Sequence, residues 1–245
     1  MIPRIIHQTW NTPAIPLHLR EFQRSWQKHH PLWKYQLWTH EDNHRLVREQ
    51  YPEFAEFYGR LPAPLKMDFI RVVYMHSQGG IYADMDFEAL RPLDSLLQGS
   101  SIMAGREING IGKQMRGEDY ICSALLASPA GHPAWLEVMR LMAAEFRPKR
   151  WSEAYSAYVI RNGMALCDQV LVALQKSGGN VVIHSHELFF PAAPTERLIE
   201  NRRRLAAELG SYAIHHYEAS WISPWSKLIY AVMRISQKRR ARRPQ

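Results

Sequence analysis

The sequence predicts an α/β fold, and three observations carry that expectation. Short apolar segments alternate with stretches of helical periodicity through the first hundred residues. One helical stretch ends in Gly79-Gly80 and runs at once into a strictly alternating segment, Ile81-Tyr82-Ala83-Asp84-Met85-Asp86-Phe87-Glu88. The composition is that of a globular chain, 46% hydrophobic and 22% charged over 245 residues, which excludes a disordered polymer and suits one domain of ordinary size.

Taken in order, Pro3 to Trp10 reads as a buried strand running into a loop broken by Asn11, Pro13 and Pro16. Residues 17–29 place Leu19, Phe22 and Trp26 on one helical face. Tyr35 to Trp38 reads as a second strand, and residues 41–58 as one helix. The next helix spans 64–78, with Pro64 near its start, where a missing N–H costs little, and Gly79-Gly80 just past its end. The alternating segment 81–88 reads as a strand with Tyr82, Asp84, Asp86 and Glu88 on one side. Beyond residue 100 the pattern weakens. Residues 105–117 read as a loop, 120–128 as a strand and 133–146 as a helix. Another helix follows Asn162-Gly163 through Leu174, and 181–184 and 212–216 read as strands.

The net charge is +8, but seven basic residues and no acidic one lie from Lys227 onward, so subtracting 7 from 8 leaves +1 for residues 1–226. A near-neutral body argues against nucleic acid as a partner, since a nucleic-acid-binding face spreads its cations over the fold. Trp225, Leu228, Ile229, Val232 and Met233 recur at helical spacing ahead of Lys238-Arg239-Arg240-Ala241-Arg242-Arg243. An amphipathic stripe followed by a polybasic run is expected either to dock on an anionic membrane surface or to pack on the body. The organisation expected is a domain over residues 1–222 and a tail over 223–245. The opening turns polar too early for a secretory leader, no apolar run approaches the ~20 residues of a membrane span, and Cys122 and Cys167 offer no disulfide framework. A cytoplasmic protein, peripheral on the membrane's cytoplasmic face, is therefore expected.

The chemistry concentrates in Asp84-Met85-Asp86. Two carboxylates two positions apart on a strand point the same way, ~6–7 Å apart along the chain, and offer hard oxygen ligands to one divalent cation with room left for phosphate oxygens. An isolated Asp-X-Asp also occurs on solvated strand faces, but aspartate is disfavoured in strands, so a pair beside small and apolar residues asks for a reason. Asp68 and Arg71, three apart on the preceding helix, share a face. They can bind sugar hydroxyls and phosphate oxygens, or form a plain ion pair. Trp10 stands where an open α/β sheet binds ligands, beyond a strand's carboxyl end. His215, His216, Ser220 and Trp221 form a late cluster of metal-ligating and ring-bearing groups. There is no Gly-x-Ser-x-Gly, no Walker-type loop and no Cys-x-x-Cys.

Three segments in this order resemble glycosyltransferase family 32, the group of yeast-type initiating mannosyltransferases and bacterial polysaccharide enzymes. They are Ile2 to Trp10, Lys66-Met67-Asp68-Phe69-Ile70-Arg71, and Gly79 to Asp86, joined late in the chain by Phe190-Pro191 and His215-His216 leading to Ser220-Trp221. The resemblance implies a GT-A fold, a Rossmann-like nucleotide-sugar domain, and transfer of a hexose with retention at the anomeric carbon. A Mn2+ or Mg2+ cofactor and a glycan or lipid-linked acceptor, as in surface polysaccharide and glycoconjugate synthesis, are also implied. By that likeness Trp10 stacks on the donor base, Asp68 and Arg71 hold the donor sugar, and Asp84 reaches the ribose and the metal's water shell. Asp86 ligates the metal with His215 near it, Ser220 and Trp221 sit on a lid over the diphosphate, and Thr9 and Tyr82 complete the donor-binding set. Ser123 stands where many relatives carry asparagine, and Asn162-Gly163-Met164 where they carry Thr-Gly-Pro, a segment expected to shape the acceptor pocket. The competing enzyme class is a metal-dependent phosphohydrolase using the same carboxylates, which would need further metal ligands near the pair.

Overall fold

The computed structural model describes residues 1–99, 101–108, 119–196 and 198–218. A six-stranded mixed sheet runs through the middle in the order β2-β1-β3-β6-β5-β7. Its strands are β1 (Ile5–Thr9), β2 (Lys34–Trp38), β3 (Gly80–Ala83), β5 (Ile102–Arg106), β6 (Ile121–Ser128) and β7 (Val181–His184). β1 lies parallel to β2 and β3, β6 runs antiparallel to β3 and β5, and β7 is parallel to β5. A separate two-stranded antiparallel ribbon pairs β4 (Phe87–Ala89) with β8 (Ala213–His215).

The helices are α1 (Leu17–His29), α2 (His40–Gln50), α3 (Pro52–Arg60), α4 (Ala63–Ser77), α5 (Pro133–Ala144), α6 (Tyr155–Asn162), α7 (Met164–Lys176), α8 (His186–Phe189) and α9 (Ile199–Leu209). One apolar cluster gathers α2 to α7 against one face of the sheet, taking in Tyr82, Ile102, Ala104 and Leu126. A second uses the alternate residues Ile81, Ala83, Met103 and Ala127 on the other face, with Trp26 of α1, Phe189 of α8 and the ribbon. Period-two side chains thus feed two cores, and both faces are covered. The α/β class and the mixed sheet agree with the GT-A expectation.

Two sequence expectations are corrected. Residues 41–58 form two helices: Thr39 caps α2 through a reciprocal bond with Asp42, and the chain breaks at Tyr51 before Pro52 opens α3. Apolar spacing continued across that break and hid it. The segment 81–88 is also not one strand. It leaves the main sheet after Ala83, turns through Asp84-Met85-Asp86 with the Phe87 N–H bonded to the Asp84 carbonyl at 3.0 Å, and enters the ribbon at Phe87. The sequence alternation runs straight across this break and hides it, although β3 and β4 are each buried on both faces. Helices α6 and α9 and strand β5 carry no clear periodic signal in the sequence. The stretch Tyr155–Lys176 is apolar and long enough to cross a membrane by composition. It is split at Gly163 and gives Leu166, Cys167 and Leu171 to the core.

The glycine pair does what its position demands. Gly79 and Gly80 have φ of 65° and 95°. A Cβ at Gly80 would sit 2.4 Å from the Ile5 carbonyl oxygen. This close approach seats β3 against β1. His7 locks the same junction: its Nε2–H donates to the Gly79 carbonyl at 2.8 Å, while Nδ1 accepts from the Trp38 indole at 3.0 Å. With both nitrogens used, only the neutral ring fits, and burial pulls its pKa down to about 4.

Candidate active site

The carboxyl ends of the parallel strands β1 and β3 converge on the Asp84-Met85-Asp86 turn. Met85 points inward and joins Ile15, Leu19 and Phe22, with Trp10 and Leu37 packed against them. Burying the middle residue of a tight turn leaves the two aspartates less covered on either side of it.

Asp84 belongs to a wired wall. Its backbone is fixed from both sides, its N–H donating to the Ala124 carbonyl at 2.9 Å and its carbonyl accepting from Gln8 Nε2 at 3.0 Å. Gln8 is in turn held by the Tyr35 hydroxyl at 2.8 Å. The Asp84 carboxylate accepts from the Tyr82 hydroxyl and faces Arg71 Nη2 at 3.3 Å. The same Nη2 lies 3.4 Å from Asp68, Arg71 Nη1 donates to Ser123 Oγ at 2.9 Å, and Nε donates to the Met67 carbonyl at 3.1 Å. The guanidinium also stacks 5.1 Å from the Tyr82 ring centre. Nearly every donor of this buried cation is therefore spoken for. Burial opposes its charge, but Asp84 and then Tyr82 and Asp68 hold the guanidinium's pKa above normal. Burial raises the Asp84 carboxyl above the usual range, with Arg71 opposing. It pushes Asp68 up to about 6, again against Arg71 and aided by Asp84.

Asp86 belongs to the ribbon. His215 Nε2 lies 3.3 Å from its carboxylate, the Glu218 N–H donates to it at 2.8 Å, and its carbonyl accepts from the His216 N–H at 2.9 Å. Burial works against ionisation here too, yet His215 and the backbone N–H groups of Glu218 and of Asp86 itself win and hold the carboxyl at about 2. Burial would discharge His215, but Asp86 foremost and Asp84 behind it raise its pKa.

One ligand atom each from Asp84, Asp86 and His215 lies within 4.8 Å of the others. His215 Nδ1 is buried without a hydrogen-bond partner among the described residues. Two carboxylates and an imidazole, with one ring nitrogen unspent, fit a hard or borderline divalent cation such as Mg2+ or Mn2+. The two acids meet across a turn rather than along one strand face.

The other expected residues occupy varied places around this centre. Thr9 ends β1 with its hydroxyl committed inward, donating to the Trp38 carbonyl at 3.1 Å and accepting from Asn43 at 3.0 Å. Trp10 comes next in the chain, half-buried beside Met85. Tyr82 is buried beneath Asp84. Ser220, Trp221 and the tail over 223–245 lie outside the described residues.

Sequence reasoning missed several neighbours. Glu107, just past β5, is half-buried, its carboxyl pushed up chiefly by desolvation while His215 opposes, and it interacts with Cys122 and Tyr217. No spacing pattern announces it. Gly163, at the α6–α7 corner, lies over Asp68: a Cβ there would stand 2.2 Å from Asp68 Oδ2. The glycine was visible, but its opposite number was not.

Residues 16–103 match the family described as the glycosyltransferase sugar-binding region containing the DXD motif, a stretch that holds Asp68, Arg71, Tyr82, Asp84 and Asp86. Among curated proteins, an inositol phosphoceramide mannosyltransferase of Schizosaccharomyces pombe is 34% identical over 57% of this chain and 36% of its own length. The mannosyl phosphorylinositol ceramide synthase SUR1 of Saccharomyces cerevisiae is 31% identical over 57% of this chain and 34% of its own. The initiation-specific alpha-1,6-mannosyltransferase of Candida albicans is 24% identical over 56% and 41%. The chain thus spans about a third of the length of the first of these relatives. Among solved structures, PaToxG glycosyltransferase overlaps with a TM-score of 0.49 at 15% identity, over 71% of this chain and 70% of that one. The galactosyltransferase LgtC overlaps at 0.45 and 11%, over 88% of each. Residues 16–103 thus carry the likeness to the DXD-containing glycosyltransferase sugar-binding region, and the chain is similar in sequence to these fungal mannosyltransferases over a little more than half of its length.

Proposed function

We propose that this chain transfers a hexose, with mannose the first candidate, from a nucleotide-sugar donor to a glycan or lipid-linked acceptor, using Mn2+ or Mg2+ and retaining the anomeric configuration. The observation that carries the reading is the Asp84–Asp86–His215 cluster standing beside the Asp68–Arg71 pair. The mannosyltransferase names of the relatives favour mannose. Those among them named for inositol phosphoceramide favour an acceptor carried on lipid.

Asp86, Asp84 and His215 would hold the cation, whose positive charge, when bound, stabilises the diphosphate as the sugar–oxygen bond breaks. Asp68 presents acceptor oxygens for sugar hydroxyls. Arg71 pairs with both Asp68 and Asp84, and its charge offsets part of the repulsion between two acids that face one polar substrate. Tyr82 fixes the Asp84 rotamer from below. Trp10, at the end of β1, would stack on the donor base. Ser220 and Trp221 come four and five residues after His216, close enough in sequence to close over the same site and exclude water. The basic tail would hold the enzyme at the cytoplasmic face of a membrane, where a lipid-linked acceptor is found.

A phosphohydrolase would need a fuller ligand set. Among the described residues the cluster of three is the one group of its kind, which favours the transferase. The test is a screen of nucleotide sugars for Mn2+-dependent turnover and thermal stabilisation of the purified chain, with the product anomer read by NMR. Sugar transfer with the α-configured product is expected from an α-linked mannosyl donor. Release of free phosphate without sugar transfer would install the hydrolase reading instead.

A further inference from the structure

We propose that the loop joining α5 to α6, residues 145–154, docks the protein on an anionic lipid surface. The proposal deepens the reading of a lipid-linked acceptor and takes its purpose from it.

Trp151 is 99% exposed, so a large amphipathic ring is held with none of its surface covered. Its neighbours Arg147, Lys149 and Arg150 are exposed as well. The backbone beneath them is well braced. The Arg161 guanidinium donates to the Arg147 and Pro148 carbonyls at 3.1 and 3.0 Å and forks onto Glu153 at 2.6 and 2.9 Å. The Arg150 N–H donates to Glu153 at 3.1 Å. An ordered loop that satisfies its polar groups inward and turns a bare tryptophan outward is built for contact.

Charge selects the partner. Arg161 neutralises Glu153, which leaves Arg147, Lys149 and Arg150 against Glu145 alone within the loop. This cation cluster stands on a body whose net charge is only +1 once the seven tail residues are subtracted from +8. Tryptophan among cations is the composition that sits at a bilayer interface, ring at headgroup depth and charges on anionic headgroups.

The loop is also indexed to the sugar site. The Arg147 N–H donates to Asn162 Oδ1 at 2.8 Å, and Asn162 Nδ2 returns a bond to the Arg147 carbonyl at 3.1 Å. Asn162 is followed by Gly163, which lies directly over Asp68. A bilayer touching Trp151 would therefore stand at a fixed offset from the carboxylate assigned to the donor sugar, as an acceptor whose reactive end rises from the membrane requires.

The test is co-sedimentation of the full chain with phosphatidylcholine vesicles, with and without phosphatidylglycerol. Trp151→Ala and the double variant Lys149→Glu/Arg150→Glu, tail intact, are expected to lower partitioning onto the anionic vesicles by about tenfold each. Added salt should weaken the wild type more than the charge variant. Turnover of nucleotide sugar free in solution should be unchanged in both. Partitioning equal to wild type in both variants overturns the proposal. So does a raised KM for a soluble glycan acceptor with partitioning unchanged, which would make Trp151 a sugar platform. Absence of any sugar transfer would strike the enzymatic reading and leave the vesicle result standing.

Discussion

The two aspartates of the motif are two positions apart in the chain and live in different structures. Asp84 ends the main sheet and is tied to α4 and β6 through Arg71, Tyr82 and the Ala124 carbonyl. Asp86 begins the ribbon and is tied to β8 and its C-terminal extension through His215 and the Glu218 N–H. Burial raises the first acid, and charge partners hold the second at about 2. Under the proposed function, that contrast assigns the two equal residues of the motif different roles. The wall side is organised around a guanidinium and suits sugar and ribose oxygens. The ribbon side is organised around an imidazole and would supply two of the three cation ligands, with Asp84 meeting the cation from the wall.

That division can be broken by mutation, starting with its strongest claim. Asp86→Ala removes the acid that stays ionised, and metal-dependent donor turnover should fall by about a thousandfold or more. Near-normal kcat with Mn2+ titrated would end the assignment. Arg71→Lys keeps the charge and loses the fork onto Ser123 and the Met67 carbonyl, and turnover should drop by about a hundredfold. The apparent Mn2+ affinity should stay within about threefold of wild type, since Asp84, Asp86 and His215 all keep their side chains and the lysine keeps the positive charge beside Asp84. An equal loss of metal affinity would show the two sides to be one unit.

Gly163→Ala sharpens the comparison on the wall side. Its new methyl must displace the Asp68 carboxylate, and kcat/KM for the donor should fall by about tenfold. Placed on Asp68→Ala, the same substitution should cost almost nothing more, because the group it displaces is gone. Additive losses, or a collapse in melting temperature, would make Gly163 a folding residue only.

The smallest effect at neutral pH comes from His7, which sits behind the wall. Its pKa is near 6.5 unfolded and about 4 folded. The unfolded chain therefore takes up a proton first as pH falls. The contribution is complete above about pH 6.5, declines between 6.5 and 4, and is flat below, an upper limit of about 3 kcal/mol. Urea unfolding across that window should show a shallower pH dependence in His7→Gln, whose amide can still reach the Gly79 carbonyl. An unchanged slope would mean that the ring titrates normally in place.

Much of the wall was legible in the chain. Gly79-Gly80 fixed the end of α4 and the start of β3, and the three-residue spacing put Asp68 and Arg71 on one face, where they do meet. The turn at Asp84 was not legible, because the apolar–polar alternation of the sequence continues through it while the chain changes sheets. Glu107 and the Gly163–Asp68 contact depend on segments distant in sequence, and no local pattern reports such approaches. Helix α9 is too polar to give a clear apolar stripe, although Gly210, with φ of 67°, marks its end. The Pro52 break was visible in principle and was masked by Phe54 and Tyr58 continuing the apolar spacing.

The crossing between sheets has a mechanical consequence. A cation gripped by Asp84 on one side and by Asp86 and His215 on the other would rivet the ribbon to the edge of the main layer. Chelation should then free the far strand first, raising amide exchange across Ala213–His215 while the glycine hinge before β3 stays closed.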